Sequence, residues 1–410
     1  MSIPEGSFDI VVIGAGPSGA VASALLKKKG YRVLVLEKEH FPRFSIGESL
    51  LPQCMAFLEE ADMLDAVEAA GFQFKNGAAF SYKGKYDYFD FREKFSEGWG
   101  TTFQVQRDHF DKILADQAQQ QGVEIFYGHM VTTFNSQASS VQLSVQTDQD
   151  EQYEVTGKFV LDASGFGRVL PRLLDLNLAS NLDKRISIFT HIKDNIIDSR
   201  HDREKILISV HPEHRDIWYW LIPFSNGRSS IGVVATQEYM TNLSGSSEDK
   251  LKQLISEHDM LGEFMQASEF DTPIREIGGY SCDVKSLYGK DFALLGNAGE
   301  FLDPVFSSGV TIALKSASLV ADVLDRHLSM QEPDWEVEYS VPLKQGVDTF
   351  RTFVEGWYGG DFQDVVFSEA KNDRVTSMIS SILAGYAWDQ ENPYVKDPSR
   401  LQTLAEICRG

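Results

Sequence analysis

Three glycines, Gly14, Gly16 and Gly19, stand in the run GAGPSG directly after an apolar stretch at residues 8–13. Glycines at that spacing let a chain turn tightly from strand into helix and bring backbone N–H groups close to a phosphate. Glu37 closes the next apolar run, 32–37. An acid there can hold the hydroxyls of an adenosine ribose and repels a ribose phosphate, so the pair reads as a site for FAD or NAD rather than NADP. On this reading a side chain at Gly14 would stand against the pyrophosphate.

These residues need a sheet to position them. The runs 8–13 and 32–37, with a helix from about 17 to 29 between them, predict a βαβ opening and a parallel, doubly wound sheet. Two further strand-like runs, 159–161 and 292–295, lead into DASG at 162–165 and GNAG at 296–299. Open α/β sheets place ligands at such strand-to-loop transitions. Alternating runs at 206–210 and 217–222 predict an inserted antiparallel sheet. Gly309 opens a helical pattern with Val310, Ala313, Leu314, Ala317, Val320, Val323 and Leu324 on one face. Its amino end would offer unpaired N–H groups and a positive dipole end. Aromatic residues at helical spacing, including Phe350, Phe353, Trp357 and Tyr358, predict a helical carboxyl-terminal cap.

The expected fold is therefore α/β: a Rossmann-type parallel-sheet domain, an inserted and mostly antiparallel sheet domain for substrate, and a helical end. The expected boundaries are 1–70, 101–175 and 276–330 for the nucleotide domain, 71–100 and 176–275 for the substrate domain, and 331–410 for the cap. Acidic residues number 60 against 38 basic ones, a formal charge of −22, which repels phosphate backbones and argues against a nucleic-acid partner. Cys54, Cys282 and Cys408 stand far apart, giving neither a disulfide framework nor a zinc site, so no metal is expected. No leader or membrane span is read, and a cytoplasmic location with no integral membrane association is expected.

The segments DASGFGR at 162–168 and LLGNAGEFLDPVFSSG at 294–309 resemble the second and third FAD motifs of the hydroxylase-like flavoprotein superfamily. That resemblance implies noncovalent FAD, with Asp162 opening the second motif and Asn297 contacting the ribityl chain where the superfamily usually carries Asp. Asn can still accept through its carbonyl oxygen. Arg107, in QVQRDHFDKIL, resembles an arginine that the superfamily keeps near the flavin; it reads equally as an exposed helix-start arginine.

Within the superfamily, three segments resemble the flavin-dependent halogenases. FPRFSIGESLLP at 41–52 resembles their loop after the ribose acid and adds Arg43 and Ser49 to the implied cofactor site. WYWLIP matches a WxWxIP pattern through Trp218, Trp220, Ile222 and Pro223, which the resemblance places between flavin and substrate. Phe301, Pro304, Ser307 and Gly309 match FxxPxxSxG; the resemblance implies a catalytic role for Ser307 and a halide held by the N–H groups of Ser308 and Gly309. Lys75, in GFQFKNGAAF, resembles the lysine strand of the phenol and pyrrole halogenases and would carry the oxidised halogen. Burial in an apolar tunnel would lower its pKa and free the amine. Phe306 fills the slot where tryptophan halogenases place a glutamate, so the phenol or pyrrole type is preferred.

The resemblance thus implies that reduced FAD and oxygen oxidise a halide, which then halogenates an electron-rich aromatic small molecule, free or carrier-tethered, with a separate flavin reductase as partner. The competing readings are a monooxygenase or hydroxylase, a geranylgeranyl-reductase-like dehydrogenase, and a flavin-carrying binding protein.

Overall fold

The computed structural model describes residues 3–410. Strand Ser7–Ile13 is flanked in parallel by Val33–Glu37 and by the long strand Gln152–Asp162. Glu124–Tyr127 extends the parallel array on one side, and Phe292–Leu294 runs parallel to the last residues of the long strand. The first half of that long strand instead pairs antiparallel with Val141–Thr147, which pairs with His129–Ser136. Ile10, Val11, Val12 and Val33–Leu36 are buried whichever way they point, the pattern of strands covered on both faces. Register decides the rest: Ile13 lies beside Asp162, and Asp162 beside Leu294. The three glycine-bearing loops therefore leave the sheet from one edge.

The second sheet has seven strands in the order Arg275–Gly278, Arg185–Lys193, Arg228–Thr236, Trp218–Pro223, Lys205–Val210, Gly77–Tyr82, Lys85–Asp90. It is antiparallel except where Lys205–Ser209 runs parallel to Gly77–Ser81. The strand at Arg275–Gly278 carries this sheet a few residues beyond the expected boundary at 275. Alternation sorts its faces. Tyr219 and Leu221 pack with Leu251, Leu254 and Phe264 on the outer side, while Trp218, Trp220 and Ile222 join the main core toward the first sheet.

Helix Ser308–Leu328 packs against Pro17–Lys28 and against the carboxyl-terminal helix Val341–Gly359. Phe350, Phe353 and Trp357 are fully buried there. The helices Asp361–Val366, Asp373–Leu383 and Arg400–Arg409 complete this end. No helix of the described residues is long and apolar enough to cross a membrane.

One expected placement is corrected. Lys75 does not lie in the substrate sheet. It ends the short strand Gln73–Lys75, which pairs with Thr102–Gln104 as a separate two-stranded ribbon. Asn76 then turns the chain into Gly77–Tyr82, so the lysine sits at the seam between the sheets.

Candidate active site

A cavity of about 310 Å³ runs along the edge where the three loops emerge. Its wall includes Glu37, Lys38, Glu39, His129 and Met130, the loop residues Gly14, Gly16 and Ala163–Gly167, and Asn297, Ser307, Gly309 and the tryptophan strand. Gly14 has φ +97°, and a Cβ there would lie 2.7 Å from the carbonyl oxygen of Ala163. A Cβ on Gly19 would lie 2.0 Å from the carbonyl of Gly14. Both glycines are thus demanded by backbone meeting backbone, which corrects the expectation that a side chain at Gly14 would act against a pyrophosphate. Gly16 is the one that faces the cradle, its Cβ direction meeting only the Arg43 guanidinium at 3.4 Å. The Glu37 carboxylate accepts from the N–H of Ala15 at 2.8 Å and of Glu39 at 3.0 Å, which ties the end of its strand to the glycine loop.

Arg107 is buried, not an exposed helix-start residue. Its guanidinium makes a two-point pair with Asp111 one turn along the same helix, at 2.7 and 3.1 Å, and donates to the carbonyls of Ile46 at 2.6 Å and Gly47 at 3.3 Å. Arg43 takes the same carboxylate at 2.9 Å. Asp111, fully buried, therefore fixes both arginines and through them the loop 43–49 that forms one cavity wall. Removing one member of such a buried pair typically costs about 3–5 kcal/mol because the other charge is stranded. Sequence reading missed Asp111, although its i+4 spacing from Arg107 was a usable signal.

Asp162 is fully buried and does not reach the cavity. Its two oxygens accept from the N–H groups of Ser164 at 2.9 Å and Leu170 at 2.6 Å, and burial raises its pKa. It shapes the second loop rather than facing the cavity. Arg168, also missed as a site residue, stitches this loop to the third by donating to the carbonyls of Gly299 at 3.2 Å and Asp283 at 2.9 Å. Asn297 is on the cavity wall, and its Oδ1 is buried without a hydrogen-bond partner. A buried acceptor left unpaired costs about 1–3 kcal/mol, and a ribityl hydroxyl is the donor that the resemblance implied for it. The donor set fits FAD: an acid at the ribose end, an open glycine cradle beside an arginine, and an orphan amide oxygen further along.

Ser307 adopts a left-handed conformation, φ 57°, and caps helix Ser308–Leu328 without a side-chain hydrogen bond to it. Ser307 and Gly309 are on the wall, while the Ser308 side chain is buried behind it. Of the WxWxIP residues, Trp218, Trp220 and Ile222 line the cavity and Pro223 does not. Trp220 donates its indole N–H to Ser230 Oγ at 3.0 Å, and the ring lies where a Cβ on Gly232 would be, 2.3 Å away. Trp218 donates to the Tyr358 hydroxyl at 2.9 Å, which in turn donates to Asp303 Oδ2 at 2.9 Å. Burial pushes the Asp303 carboxyl up to about 6, and the Arg185 guanidinium lies 3.4 Å from the centre of the Tyr358 ring. Phe306, expected beside the substrate, is turned the other way. It packs edge-on against Trp357 and Phe362 of the helical end, outside the cavity.

Lys75 is fully buried. Its amine donates to Ser49 Oγ at 2.8 Å and to the Leu50 carbonyl at 2.7 Å, and lies 5.4 Å from the centre of the Phe91 ring. With no carboxylate beside it, burial brings its pKa down to about 7. The lysine itself is not on the cavity wall, whereas Ser49 is. One hydroxyl therefore separates the amine from the cavity.

The profile of the FAD binding domain family matches residues 7–272. The chain belongs to that family and is an FAD-dependent oxidoreductase. Among the curated proteins that it resembles are flavin-dependent halogenases. It is 28% identical over 378 residues to the 1H-pyrrole-2-carbonyl-(peptidyl-carrier protein) chlorinase of Pseudomonas fluorescens, covering 86% of this chain and 83% of that one. It is 30% identical over 333 residues to the tryptophan 2-halogenase of Chondromyces crocatus, with 78% of this chain and 61% of that one covered. The crystal structure of a flavoprotein/dehydrogenase from Cytophaga hutchinsonii superposes with a TM-score of 0.95 at 42% identity, covering 98% of this chain and 99% of that one.

Proposed function

We propose that the protein halogenates an electron-rich phenol or pyrrole ring, free or carrier-tethered, with reducing equivalents delivered by a separate flavin reductase. The observation that carries this reading is the continuity of one cavity from the three FAD loops to Trp218, Trp220 and Ile222, with Ser307 and Gly309 at the junction. When bound, FAD supplies the two-electron chemistry that activates oxygen toward halide. Gly16, Glu37, Arg43, Ser49, Arg107 and Asn297 hold or frame the cofactor, whereas Gly14, Gly19 and Asp162 hold the loops that receive it. The uncapped N–H groups of Ser308 and Gly309, at the positive end of a 21-residue helix, suit a halide. Trp218 and Trp220 line the same cavity, and bulky indoles between flavin and ring would stop direct transfer, so oxidant and ring meet on the substrate side.

Lys75 supplies the remaining function. An amine with a pKa near 7 is partly neutral at physiological pH and can hydrogen-bond or capture an electrophilic halogen. Ser49, which accepts from it and stands on the wall, links it to the cavity. The carrier-tethered form of the substrate is suggested by the pyrrole-carrier chlorinase relative.

The test is direct. FAD-loaded protein, a flavin reductase, NADH, oxygen and either chloride or bromide are incubated with phenol and pyrrole probes, free and on a carrier protein, and products are weighed by mass spectrometry. Halide incorporation supports the reading; oxygenation or reduction without halide overturns it. A second reading, a flavin dehydrogenase, is favoured by the description of the 42% identical structure. Rapid bleaching of the bound flavin by a reduced carbon substrate without oxygen or halide would select it. The halogenase reading expects slow reduction by NADH or NADPH alone, since no second GxGxxG follows a strand.

A further inference from the structure

Of the buried side-chain oxygen and nitrogen atoms without a hydrogen-bond partner among the described residues, two belong to residues of the cavity wall: Asn297 Oδ1 and Glu48 Oε2. The first is accounted for by the cofactor. The second is a carboxylate oxygen of a residue that is 1% exposed, where an unpaired charge is costly unless a donor arrives. The other Glu48 oxygen is already taken, at 2.5 Å, by His191 Nε2. The backbone of Glu48 is fixed as well, its carbonyl accepting from Val105 N–H at 2.7 Å, while Arg107 clamps the two residues before it. Glu48 is thus a rigid acceptor with one free oxygen.

Its hydrogen-bond partner ties the carboxylate to the substrate sheet rather than to a flavin loop. His191 comes from the substrate-sheet strand Arg185–Lys193, not from a flavin loop. Phe44 and Phe224 flank its ring at 5.9 and 5.1 Å, and Phe189 on the same strand meets Phe44 at 6.0 Å and Trp220 at 5.7 Å. An aromatic corner with one fixed anionic acceptor fits a flat ring carrying an acidic O–H or N–H. A carboxylate directly beside the flavin pyrimidine would instead oppose the negative charge of the reduced cofactor.

Resting on the halogenase reading above, we propose that Glu48 Oε2 accepts the ring O–H or N–H of the aromatic substrate and that His191 is the positioning residue that aims it. Such a hydrogen bond orients the ring and enriches it in electrons, which favours attack on an electrophilic halogen. It also names the substrate class more narrowly: rings with a free hydroxyl or pyrrole N–H, not their methylated forms.

The experiment titrates FAD-loaded protein with 1,3,5-trihydroxybenzene and with its trimethyl ether, followed by flavin absorbance, for wild type, Glu48→Gln, His191→Gln and His191→Leu. Wild type should bind the phenol more tightly than the ether by roughly tenfold to a hundredfold, the usual worth of a hydrogen bond to a charged group. Glu48→Gln should collapse that ratio while leaving FAD bound and the affinity for the ether unchanged. His191→Gln, which can still donate to Glu48, should keep the ratio, and His191→Leu should lower it. An unchanged ratio in Glu48→Gln, equal affinities in wild type, no binding of either ring, or loss of FAD with Glu48→Gln overturns the proposal, the last because the free oxygen would then belong to the cofactor. Halide incorporation by wild type is scored separately. A collapsed ratio in a protein that oxygenates its ring sinks only the halogenase reading, and an intact ratio in a working halogenase sinks only the role of Glu48.

Discussion

Replacing Lys75 by methionine should change how stability depends on pH, and the size follows from its burial. The amine is held at about 7 against an ordinary 10.5. At ~1.36 kcal/mol per pH unit, keeping it charged in the native state at pH 6 costs about 5 kcal/mol relative to the unfolded chain. Between pH 7 and 10.5 the unfolded chain carries the proton and the native chain does not, so wild-type stability rises with pH across that window, by up to ~1.4 kcal/mol per unit. Below pH 7 both states are protonated and this contribution is flat. Methionine has no proton to lose and nearly fills the volume, but it leaves Ser49 Oγ and the Leu50 carbonyl without their donor, an offset of about 1–3 kcal/mol for each group. At pH 6 the variant should be as stable as wild type or more so, and its advantage should shrink and reverse toward pH 10. Denaturant unfolding at pH 6, 7, 8, 9 and 10 measures this as the difference between the two proteins, in which every other titrating group cancels. Parallel stability curves would refute the reasoning, since they would mean that Lys75 keeps an ordinary pKa and is not buried as described.

Lys75→Ala should keep FAD and its reduction while losing halide incorporation by about 10²- to 10⁴-fold, and Lys75→Arg should fail too because guanidinium stays protonated; both are read by product mass after turnover with a flavin reductase. Gly16→Val should give folded, colourless protein, because its Cβ direction opens on the cradle and Arg43, whereas Gly14→Val should give little folded protein, because its Cβ meets the Ala163 carbonyl; circular dichroism and flavin absorbance together separate the two. Tyr358→Phe leaves Asp303 Oδ2 and the Trp218 indole without their shared partner, so FAD should remain while the share of consumed oxygen recovered as halogenated product falls, measured with an oxygen electrode and mass spectrometry.

The parts of this molecule that were legible in the sequence are those whose constraint is local. GAGPSG needs a strand before it and a helix after it, and both are written within a few residues. WYWLIP puts Trp218, Trp220 and Ile222 on one face because a strand alternates, and the two sheet faces divide at Tyr219 and Leu221 as alternation requires. Side-chain direction around a loop has no such period, so Phe306 and Asp162, both inside recognisable motifs, turned away from the cavity that their motifs build. Their neighbours decide it: Trp357 and Phe362 capture Phe306, and two backbone N–H groups consume Asp162.

What stayed hidden depends on pairs brought together from distant parts of the chain. Asp111 has a local partner in Arg107, but its second, Arg43, arrives from 68 positions away, and Glu48 is met by His191 from 143 positions away. Neither partner marks the other in the linear text. Lys75 shows the same principle from the opposite side. A lysine in a short strand is ordinarily a solvated residue, and only the docking of Gln73–Lys75 and Thr102–Gln104 at the seam between two sheets removes water from its amine. The chemistry proposed for this protein resides at that seam. The nucleotide sheet supplies the loops that hold FAD, the substrate sheet supplies the indoles and His191, and the short segments crossing between them supply Glu48, Ser49 and Lys75. A substitution that loosened the seam without touching any of these side chains, such as Asp111→Asn beneath Arg43 and Arg107, would therefore be expected to disturb cofactor and ring binding together, while a change within either sheet would disturb one of them.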